Sequence, residues 1–377
     1  MSGIYNMLIN TAVLLAERGN LPDALVRAGI RMRLRDTLRE LPVADCEAAM
    51  TSERDFLAMM RASPIAAVPE RANAQHYEVP AEFFELMLGS RRKYSCCHWP
   101  DGIDTLDQAE EAALRLTAER AGIAEGQRVL ELGCGWGSFS LWAASHFPGS
   151  EFVAVSNSHS QKAFIDADAA RAGVTNLRVL TADMNDFQAP GQFDRIVSIE
   201  MFEHMRNWYL LFERLHGWLL PGGRFFMHIF CHRAHPYPYE DQGGDDWMTR
   251  FFFAGGIMPH DALPPRFQQH LRLLDHWRWD GRHYARTLNA WLARLDENRA
   301  RAMPILERVY GGDPASDHSA RAAALWWMRW RLFLMACAEL FGFGAGQEWW
   351  VGHYLFERPT SENYPQGQVR GYSAPTQ

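Results

Sequence analysis

Between residues 122 and 230 the chain alternates short apolar runs with segments of helical periodicity. The apolar runs are typical of strands and lie at residues 128–132, 152–156, 177–180, 193–199 and 224–229. Gly, Pro or Asn bounds the helical segments between them. Repeated strand–helix units of this length predict a parallel, doubly wound α/β sheet, with a ligand crevice beyond the carboxyl ends of its strands.

Later segments extend this core. Apolar runs at residues 271–279 and 349–356 are predicted to complete the sheet. An insertion at about 231–270 interrupts the alternation, and residues 285–345 are predicted to be helical. Together these segments predict a main domain over residues 76–358 that carries a helical insertion over its ligand crevice.

The two ends of the chain have other patterns. In the first 75 residues, apolar side chains recur at roughly helical spacing and arginines take other positions: Leu25, Ile30, Leu34, Leu38 and Leu41 against Arg27, Arg31, Arg33, Arg35 and Arg39. This predicts an N-terminal helical lid over residues 1–75, with a basic face turned either to solvent or to an anionic membrane surface. The tail, 359–377, is rich in Pro, Gly and Ser, which is typical of a flexible segment.

Composition narrows the class of protein. The 377 residues carry a formal net charge of −7, so the overall field does not favour nucleic acid as a partner. The six cysteines show no framework spacing, which suits a reducing cytoplasm. A secretory signal pattern and an uncharged apolar stretch of about 18 residues are both missing. We therefore expect a cytoplasmic protein.

Residues 200–204, Glu-Met-Phe-Glu-His, directly follow the predicted strand at 193–199. In a helix or tight turn, their spacing would place Glu200, Glu203 and His204 on one face. Two interpretations are open: a capped or solvated strand end, or two carboxylates and an imidazole that point into one cleft. Paired carboxylates raise one another's pKa, which would make a glutamate a better base near neutral pH.

A glycine-rich loop follows the predicted strand at 128–132. Glu131 precedes Gly133, Gly135 and Gly137, and glycine at these positions allows a sharp turn and close approach of a ligand. The G-x-G-x-G spacing differs from the dinucleotide fingerprint G-x-G-x-x-G. The pattern resembles the S-adenosylmethionine loop of class I methyltransferases. Asp183 fits this resemblance as an acceptor for an adenine amino group.

The end of the second strand departs from that pattern. Many class I methyltransferases carry Asp or Glu there to hold the ribose hydroxyls, whereas this chain has Ser156-Asn157-Ser158 followed by Gln161. The neutral amides of Asn157 and Gln161 would have to take that role.

Further motifs indicate one branch of the methyltransferases. They lie at residues 76–80, 94–97, 132–137, 198–205, 221–223 and 253–259. Together they resemble the cyclopropane fatty acid synthase superfamily, and the resemblance covers roughly residues 25 to 358. The helical N-terminus and the run from Trp326 to Gly342 are most similar to the coclaurine N-methyltransferase group. This resemblance implies a class I, Rossmann-like seven-stranded sheet, S-adenosylmethionine as cofactor and S-adenosylhomocysteine as product.

The residues and the resemblance together predict the site. The residues predicted to bind the cofactor are Tyr94, Ser95, Glu131, Gly133, Gly135, Gly137, Asn157, Gln161, Asp183, Met184 and Ile199. The predicted catalytic residues are Glu200, Glu203, His204, His228 and Tyr284. The predicted substrate pocket contains Cys96, Phe230, Trp247, Trp330 and Phe333. A metal is not expected, because His228, Cys231, His232 and His235 lack the spacing of a closed zinc site.

The resemblance leaves two substrate classes, and Glu200 favours one of them. In the lipid-modifying members a bound bicarbonate removes a proton, and the groups that hold it match Cys96, Glu203, His228 and Tyr284. Those members usually have Gly where this chain has Glu200, whereas the N-methyltransferases carry Glu. We therefore expect a small, aromatic or alkaloid-like amine as substrate, with Glu203 or His204 accepting its proton and Glu200 attracting the ammonium.

The alternative is an unsaturated acyl chain of a phospholipid, converted to a cyclopropane or methyl-branched product. It would bring bicarbonate into the site and contact with a membrane surface. A third interpretation is a protein that binds the cofactor or a lipid surface without catalysis. The resemblance is also compatible with a homodimer.

Overall fold

The computed structural model describes residues 2–42, 44–67, 79–240, 247–312 and 317–360. The central sheet has seven strands in the order β3-β2-β1-β4-β5-β9-β8. Neighbours from β3 to β5 are parallel, while β9 is antiparallel to both β5 and β8. This architecture confirms the predicted seven-stranded Rossmann-like sheet, including the two late strands that complete it.

The strands are β1 (Arg128–Leu132), β2 (Glu151–Ser156), β3 (Leu177–Thr181), β4 (Phe193–Ile199), β5 (Leu219–His232), β6 (Tyr237–Pro238), β7 (Ile257–Met258), β8 (Arg272–Trp279) and β9 (Trp349–Glu357). The described α-helices are α1 (Ser2–Glu17), α2 (Asp23–Glu40), α3 (Cys46–Ala62), α4 (Ala81–Met87), α5 (Leu106–Ala121), α6 (Ser138–His146), α7 (His159–Ala172), α8 (Trp208–Trp218), α9 (Trp247–Phe251), α10 (Gly281–Glu297), α11 (Arg299–Tyr310) and α12 (Asp317–Gly342). Three short 3-10 helices lie at Phe202–His204, Pro264–Arg266 and Phe343–Gly346.

Local signals fix the ends of two helices that border the ligand cavity. Helix α5 begins with a capping box, in which the Thr105 hydroxyl accepts from the Gln108 N–H and the Gln108 side chain returns to the Thr105 backbone. It ends at Gly122 in the left-handed conformation. Helix α10 begins where the Asp280 carboxylate accepts from the Arg282 N–H. Both ends of α5 and the start of α10 are therefore set by residues next to them in sequence.

The N-terminal helices α1 and α2 lie against α12. Ion pairs join them to it: Arg27 and Arg31 with Glu339, Asp23 with Arg331, and Glu17 with Arg329. The predicted boundary near residue 75, the motif residues 76–78 and most of the predicted tail lie outside the described residues. None of the described helices combines the length and the apolar character needed to cross a bilayer.

Candidate active site

A cavity of about 720 Å³ lies beyond the carboxyl ends of β1 and β4. The sheet side contributes Glu131, Gly133, Gly135, Ile199 and Glu200, and the segment before α5 contributes Tyr94 and Ser95. Residues of α1 and α2 lie opposite, among them Ala16, Val26, Ile30 and Leu34. The N-terminal helices therefore cover a crevice at the sheet edge where doubly wound folds bind ligands.

The glycine loop has the backbone that its sequence predicts. Gly133, Gly135 and Gly137 all have positive φ, at 75°, 51° and 78°. A Cβ at Gly133 would lie 2.5 Å from the Met201 side chain, so this turn requires glycine. A Cβ at Gly135 would meet no described atom within 4 Å, because this residue faces the open cavity. The loop thus presents bare backbone to a ligand.

Two buried polar atoms beside the loop fit a cofactor. The Nε2 of Gln161 and the Oγ of Ser138 have no hydrogen-bond partner among the described groups, and both residues line the cavity. The other end of the Gln161 amide accepts from the Ser156 hydroxyl at 2.6 Å, which directs Nε2 away from the strand. Buried donors of this kind are costly unless a ligand or water pairs with them. They therefore suit the hydroxyl and carboxylate oxygens of S-adenosylmethionine.

Other predicted cofactor residues lie around this cavity and do not line it. Gly137 caps α6 and packs toward Ile165. Met184 is buried in the core, and the Asp183 carboxylate accepts from the Asn185 N–H at 2.7 Å. Their cofactor roles, like that of Asn157, stay predictions.

Glu200 is the carboxylate at the base of the cavity. Its φ of 50° is left-handed, a conformation that costs a non-glycine residue about 1 kcal/mol. The turn directs the side chain at three donors. Oε1 accepts from the Cys96 N–H at 2.8 Å and lies 3.1 Å from Nε2 of His228, and Oε2 accepts from the Tyr284 hydroxyl at 2.6 Å. These contacts explain why the strained residue is held in place.

The charge state of this cluster follows from its partners. Burial alone would raise the pKa of Glu200, but the hydrogen-bond and electrostatic interactions with His228, the positive Lys93 and the Cys96 N–H outweigh it and lower that pKa. Burial lowers the pKa of His228 to about 4, so its imidazole is neutral near pH 7. Glu200 is therefore ionised beside a neutral histidine.

Glu203 occupies a different environment from Glu200. It is 0% exposed, and its Oε1 accepts from the Phe230 N–H at 2.7 Å. Its Oε2 is buried with no hydrogen-bond partner among the described groups. Burial, and next the charge of Glu200, raise the pKa of Glu203 well above its usual value. The pKa values of the two predicted carboxylates are thus shifted in opposite directions, and Glu203 does not line the cavity.

The remaining predicted residues either line the cavity or lie behind its wall. His204, Phe230, Trp247, Phe333 and Tyr284 line the cavity. Trp330 is fully buried and lies edge-on to Phe333 with ring centroids 6.0 Å apart, so it supports the wall from behind. Cys96 contributes its backbone N–H to Glu200, while its thiol donates to the Cys97 carbonyl.

Three polar residues at the site were not predicted from the sequence. His353 on β9 is the register partner of His228 and lies 3.0 Å from it through Nε2 and Nδ1. Nη1 of Arg120 lies 2.7 Å from Nδ1 of His353. Lys93 is 1% exposed and donates to the Ser95 hydroxyl and the Cys96 carbonyl. Strand pairing and helix packing bring His353 and Arg120 to the site, so linear spacing carries no signal for them, whereas Lys93 directly precedes the 94–97 motif and contacts Ser95 and Cys96.

The sequence predicted that His228, Cys231, His232 and His235 do not form a metal site. His228 instead joins Glu200 and His353, and Nδ1 of His232 accepts from the His235 N–H at 3.0 Å. In the part of the chain that the structure describes, no three His, Cys, Asp or Glu side chains are arranged to hold a metal ion.

Comparison with known proteins places the chain among methyltransferases. The chain is 35% identical to an (S)-coclaurine N-methyltransferase from Thalictrum flavum subsp. glaucum, over 91% of this chain and 94% of the relative. It is 34% identical to a solved coclaurine N-methyltransferase bound to N-methylheliamine and SAH, with a TM-score of 0.87 over 93% of this chain and 99% of that one. A cyclopropane-fatty-acyl-phospholipid synthase from Escherichia coli (strain K12) is 32% identical over 59% of this chain and 55% of its own length.

These matches confirm the predicted resemblance and the predicted class of enzyme, a methyltransferase. The sequence model of the mycolic acid cyclopropane synthetase family matches residues 67–347, which is most of the chain. The chain belongs to the mycolic acid cyclopropane synthetase family.

Proposed function

We propose that the protein is an S-adenosylmethionine-dependent N-methyltransferase that acts on a small aromatic or alkaloid-like amine. The observation that carries this proposal is the position of the Glu200 carboxylate. The carboxylate accepts hydrogen bonds from the Cys96 N–H and the Tyr284 hydroxyl, and it lies beside Nε2 of His228. In the lipid-modifying members, the counterparts of these three residues are expected to hold bicarbonate. The Glu200 carboxylate therefore takes the place that a free bicarbonate ion is expected to fill in the lipid-modifying members.

The residues around the glycine loop suit the cofactor. Backbone groups at Gly133 and Gly135, the Gln161 amide and the Ser138 hydroxyl would hold it. When bound, S-adenosylmethionine supplies a methyl group on a sulfonium, which is a strong leaving group. The protein then needs mainly to orient the amine and keep its lone pair free. The SAH bound to the solved coclaurine N-methyltransferase supports this assignment of the cofactor.

The charge pattern at the base of the cavity suits an amine. An alkylamine is largely protonated near pH 7, and an ionised Glu200 attracts that ammonium. Glu200 or His204 can accept the N–H proton that must leave before the nitrogen attacks. Glu203, which the sequence offered as a base together with His204, is buried and does not line the cavity, so we do not assign it this role. Glu203 then supports the turn through the Phe230 N–H.

The walls suit an aromatic scaffold. Phe230, Tyr239, Phe253, Phe333 and Phe341 all line the cavity. Aromatic faces attract a cation and bury a large apolar surface. The ionised Glu200 carboxylate at the base of these aromatic walls therefore matches an aromatic amine better than an uncharged acyl chain. The N-methylheliamine bound to the solved relative is consistent with this choice.

The test is to offer purified protein S-adenosylmethionine with a labelled methyl group and two substrate pools. One pool contains tetrahydroisoquinoline amines, and the other contains vesicles of unsaturated phospholipid. We expect label in the amines alone. Label that appears only in the lipid would overturn the proposal. Bicarbonate is added in matched reactions, because the lipid reaction is expected to need it and the amine reaction is not.

A further inference from the structure

A chain of three hydrogen bonds runs from α5 to the base of the cavity. Nη1 of Arg120 lies 2.7 Å from Nδ1 of His353, Nε2 of His353 lies 3.0 Å from Nδ1 of His228, and Nε2 of His228 lies 3.1 Å from Oε1 of Glu200. Both imidazoles are 0% exposed, and they face one another because β5 and β9 pair in register at these positions. The chain therefore connects a helix outside the sheet to the ionised carboxylate.

Both ends of this chain set the direction of its bonds, because the ionised Glu200 can only accept and the Arg120 guanidinium can only donate. A guanidinium has only N–H donors, so Nδ1 of His353 must accept and its ring proton must lie on Nε2. That proton points at Nδ1 of His228, which must also accept. The His228 proton then lies on Nε2 and points at Glu200. With any other arrangement of protons on neutral rings, two donors or two acceptors would meet somewhere along the chain.

We propose that Arg120 and His353 are positioning residues for the methyl-transfer site, which fix His228 as an Nε2–H donor and so keep Glu200 an ionised acceptor. This inference rests on the proposed function for its kinetic consequence and on geometry alone for the hydrogen-bond order. Neither residue lines the cavity, so their effect on the substrate passes through His228 and Glu200.

The electrostatics agree with neutral rings. Burial, and then the neighbouring His228 and Arg120, lower the pKa of His353 well below its usual value. The indole of Trp279 covers His353 with ring centroids 4.3 Å apart, which helps to exclude water. The titratable and charged groups that face the chain are Glu119 and Asp275 beside Arg120, Lys93 and His98 beside the imidazoles, and Cys96, Glu203, Tyr284 and Cys337 beside Glu200.

Loss of Arg120 would remove one of the two restraints on the tautomers and leave only the contact with Glu200 to hold them. In the alternative tautomer, the lone pair on Nε2 of His228 would face Oε1 of Glu200. Two acceptors in contact favour protonation of the carboxylate, and a neutral Glu200 no longer attracts an ammonium. The variant should therefore lose activity mainly at low pH.

The hydrogen-bond order can be tested without substrate. Full-length protein labelled with 15N-histidine is examined by long-range 1H–15N spectra, with signals assigned by His353→Gln and His228→Gln. We expect both rings to be neutral and protonated on Nε2 in the wild type, and a change of tautomer in Arg120→Met. Arg120→Lys keeps a donor and should retain the wild-type pattern, as should Arg115→Met, a matched change at an exposed position of the same helix. A ring protonated on Nδ1 in the wild type, or no change in Arg120→Met, would overturn the proposal.

The kinetic test compares kcat/KM against pH for a tetrahydroisoquinoline amine. In Arg120→Met and His353→Leu the acid limb should move up by about one pH unit, which is about a tenfold loss below the limb. His353→Gln can accept from Arg120 and donate to His228, so it should restore the limb. The profile is measured with two amines of different pKa. An acid limb that moves with the pKa of the amine belongs to the substrate, and one that does not move belongs to a group of the enzyme.

A purely structural role would lower kcat/KM equally at every pH, and an unmoved limb in folded Arg120→Met would reject the positioning role. Thermal unfolding establishes that each variant is folded. Absence of any amine turnover in the wild type would instead reject the proposed function, and would leave the spectroscopic result standing.

Discussion

The two sides of the cavity are built from different interactions. Its floor, formed by Glu200 and Tyr284 with Cys96, Glu203 and His228 behind them, is held by hydrogen bonds between buried groups, and both Glu203 and His228 are 0% exposed. Its cover, formed by α1 and α2, is joined to α12 by ion pairs, of which the Glu17–Arg329 pair is largely buried and the others reach solvent. The Arg27 and Arg31 side chains in those pairs are 22% and 42% exposed.

This difference suits the two sides to two tasks, the methyl-transfer reaction on one side and the entry and exit of ligands on the other. Donors fixed in a dry environment act strongly on charge and need no reorganisation during the reaction. Partly exposed ion pairs are weak and are screened by salt, so they can break and re-form. The floor is thus suited to setting the charge state of Glu200. The cover is suited to closing over substrates and releasing products.

The largest expected effect comes from removing the carboxylate of the floor in Glu200→Gly. We expect kcat/KM for an amine to fall by about 10²- to 10⁴-fold, because the group that attracts the ammonium and accepts its proton is lost. Affinity for S-adenosylhomocysteine, measured by calorimetry, should be retained. Glycine adopts the φ of 50° at this position without strain, so the fold should also be retained.

A matched variant, Glu200→Ala, separates charge from backbone strain. Its activity should equal that of the glycine variant, but its thermal midpoint should be lower, because alanine keeps a Cβ in a left-handed conformation. Formate should restore part of the activity of Glu200→Gly by binding to the three freed donors. If Glu200→Gly methylated an amine at the full rate, the Glu200 carboxylate would have no role in the reaction. The main support for an amine substrate would then be lost.

The cover and the sheet were predictable from the sequence to different degrees. The alternation of apolar runs with Gly, Pro and Asn located all seven strands of the main sheet within a few residues, apart from the early start of β5 at Leu219. Such patterning is a local signal and needs no tertiary information. Amphipathic spacing also predicted helices before residue 75. Their attachment to α12 through Glu339 could not be predicted, because it joins residues about 310 positions apart.

The floor was predictable only in its parts. Spacing after β4 indicated Glu200, Glu203 and His204, and the family resemblance added His228 and Tyr284. Spacing could not show that the pKa values of Glu200 and Glu203 shift in opposite directions, because these shifts depend on burial and on donors from distant segments. The same reason hides His353 and Arg120, which reach the site through strand register and helix packing.

A smaller effect is expected from Glu203→Gln, which tests whether the floor holds one charge or two. Glutamine mimics a protonated carboxyl and can still accept from the Phe230 N–H, so the loss in kcat/KM should be far smaller than in Glu200→Gly. The stability of the variant should differ from the wild type in its pH dependence. Because the pKa of Glu203 is raised in the folded protein, the folded wild type should hold this proton to a higher pH than the unfolded chain, whose pKa is near 4.5, and its free energy of unfolding should fall as pH rises between the two pKa values.

The glutamine variant has no such proton. Its stability relative to the wild type should therefore rise by up to about 1.4 kcal/mol per pH unit above about pH 5, measured by urea unfolding. Glu110 and Glu131, whose pKa values burial raises to about 7, titrate in both proteins and cancel in the difference. A stability difference that is constant with pH would show that Glu203 is ionised in the folded protein, and would return it to the role of base.

The smallest effect is expected on the cover, from Glu339→Gln. This change removes the charge that Arg27 and Arg31 share at 2.9 and 2.7 Å. We expect KM for the amine to rise about two- to fivefold, because each partly exposed pair contributes about 0.2–1 kcal/mol. The value of kcat should stay unchanged, since the floor is intact.

Salt gives the matched comparison for the cover. Raising ionic strength should increase KM in the wild type toward that of Glu339→Gln and have less effect on the variant, since most of the attraction is already gone. Glu297→Gln, at an exposed position of α10, controls for the loss of one negative charge. A fall in kcat in Glu339→Gln at low salt would mean that closure of α1 and α2 completes the reacting geometry, and the two sides of the cavity would then share the chemistry.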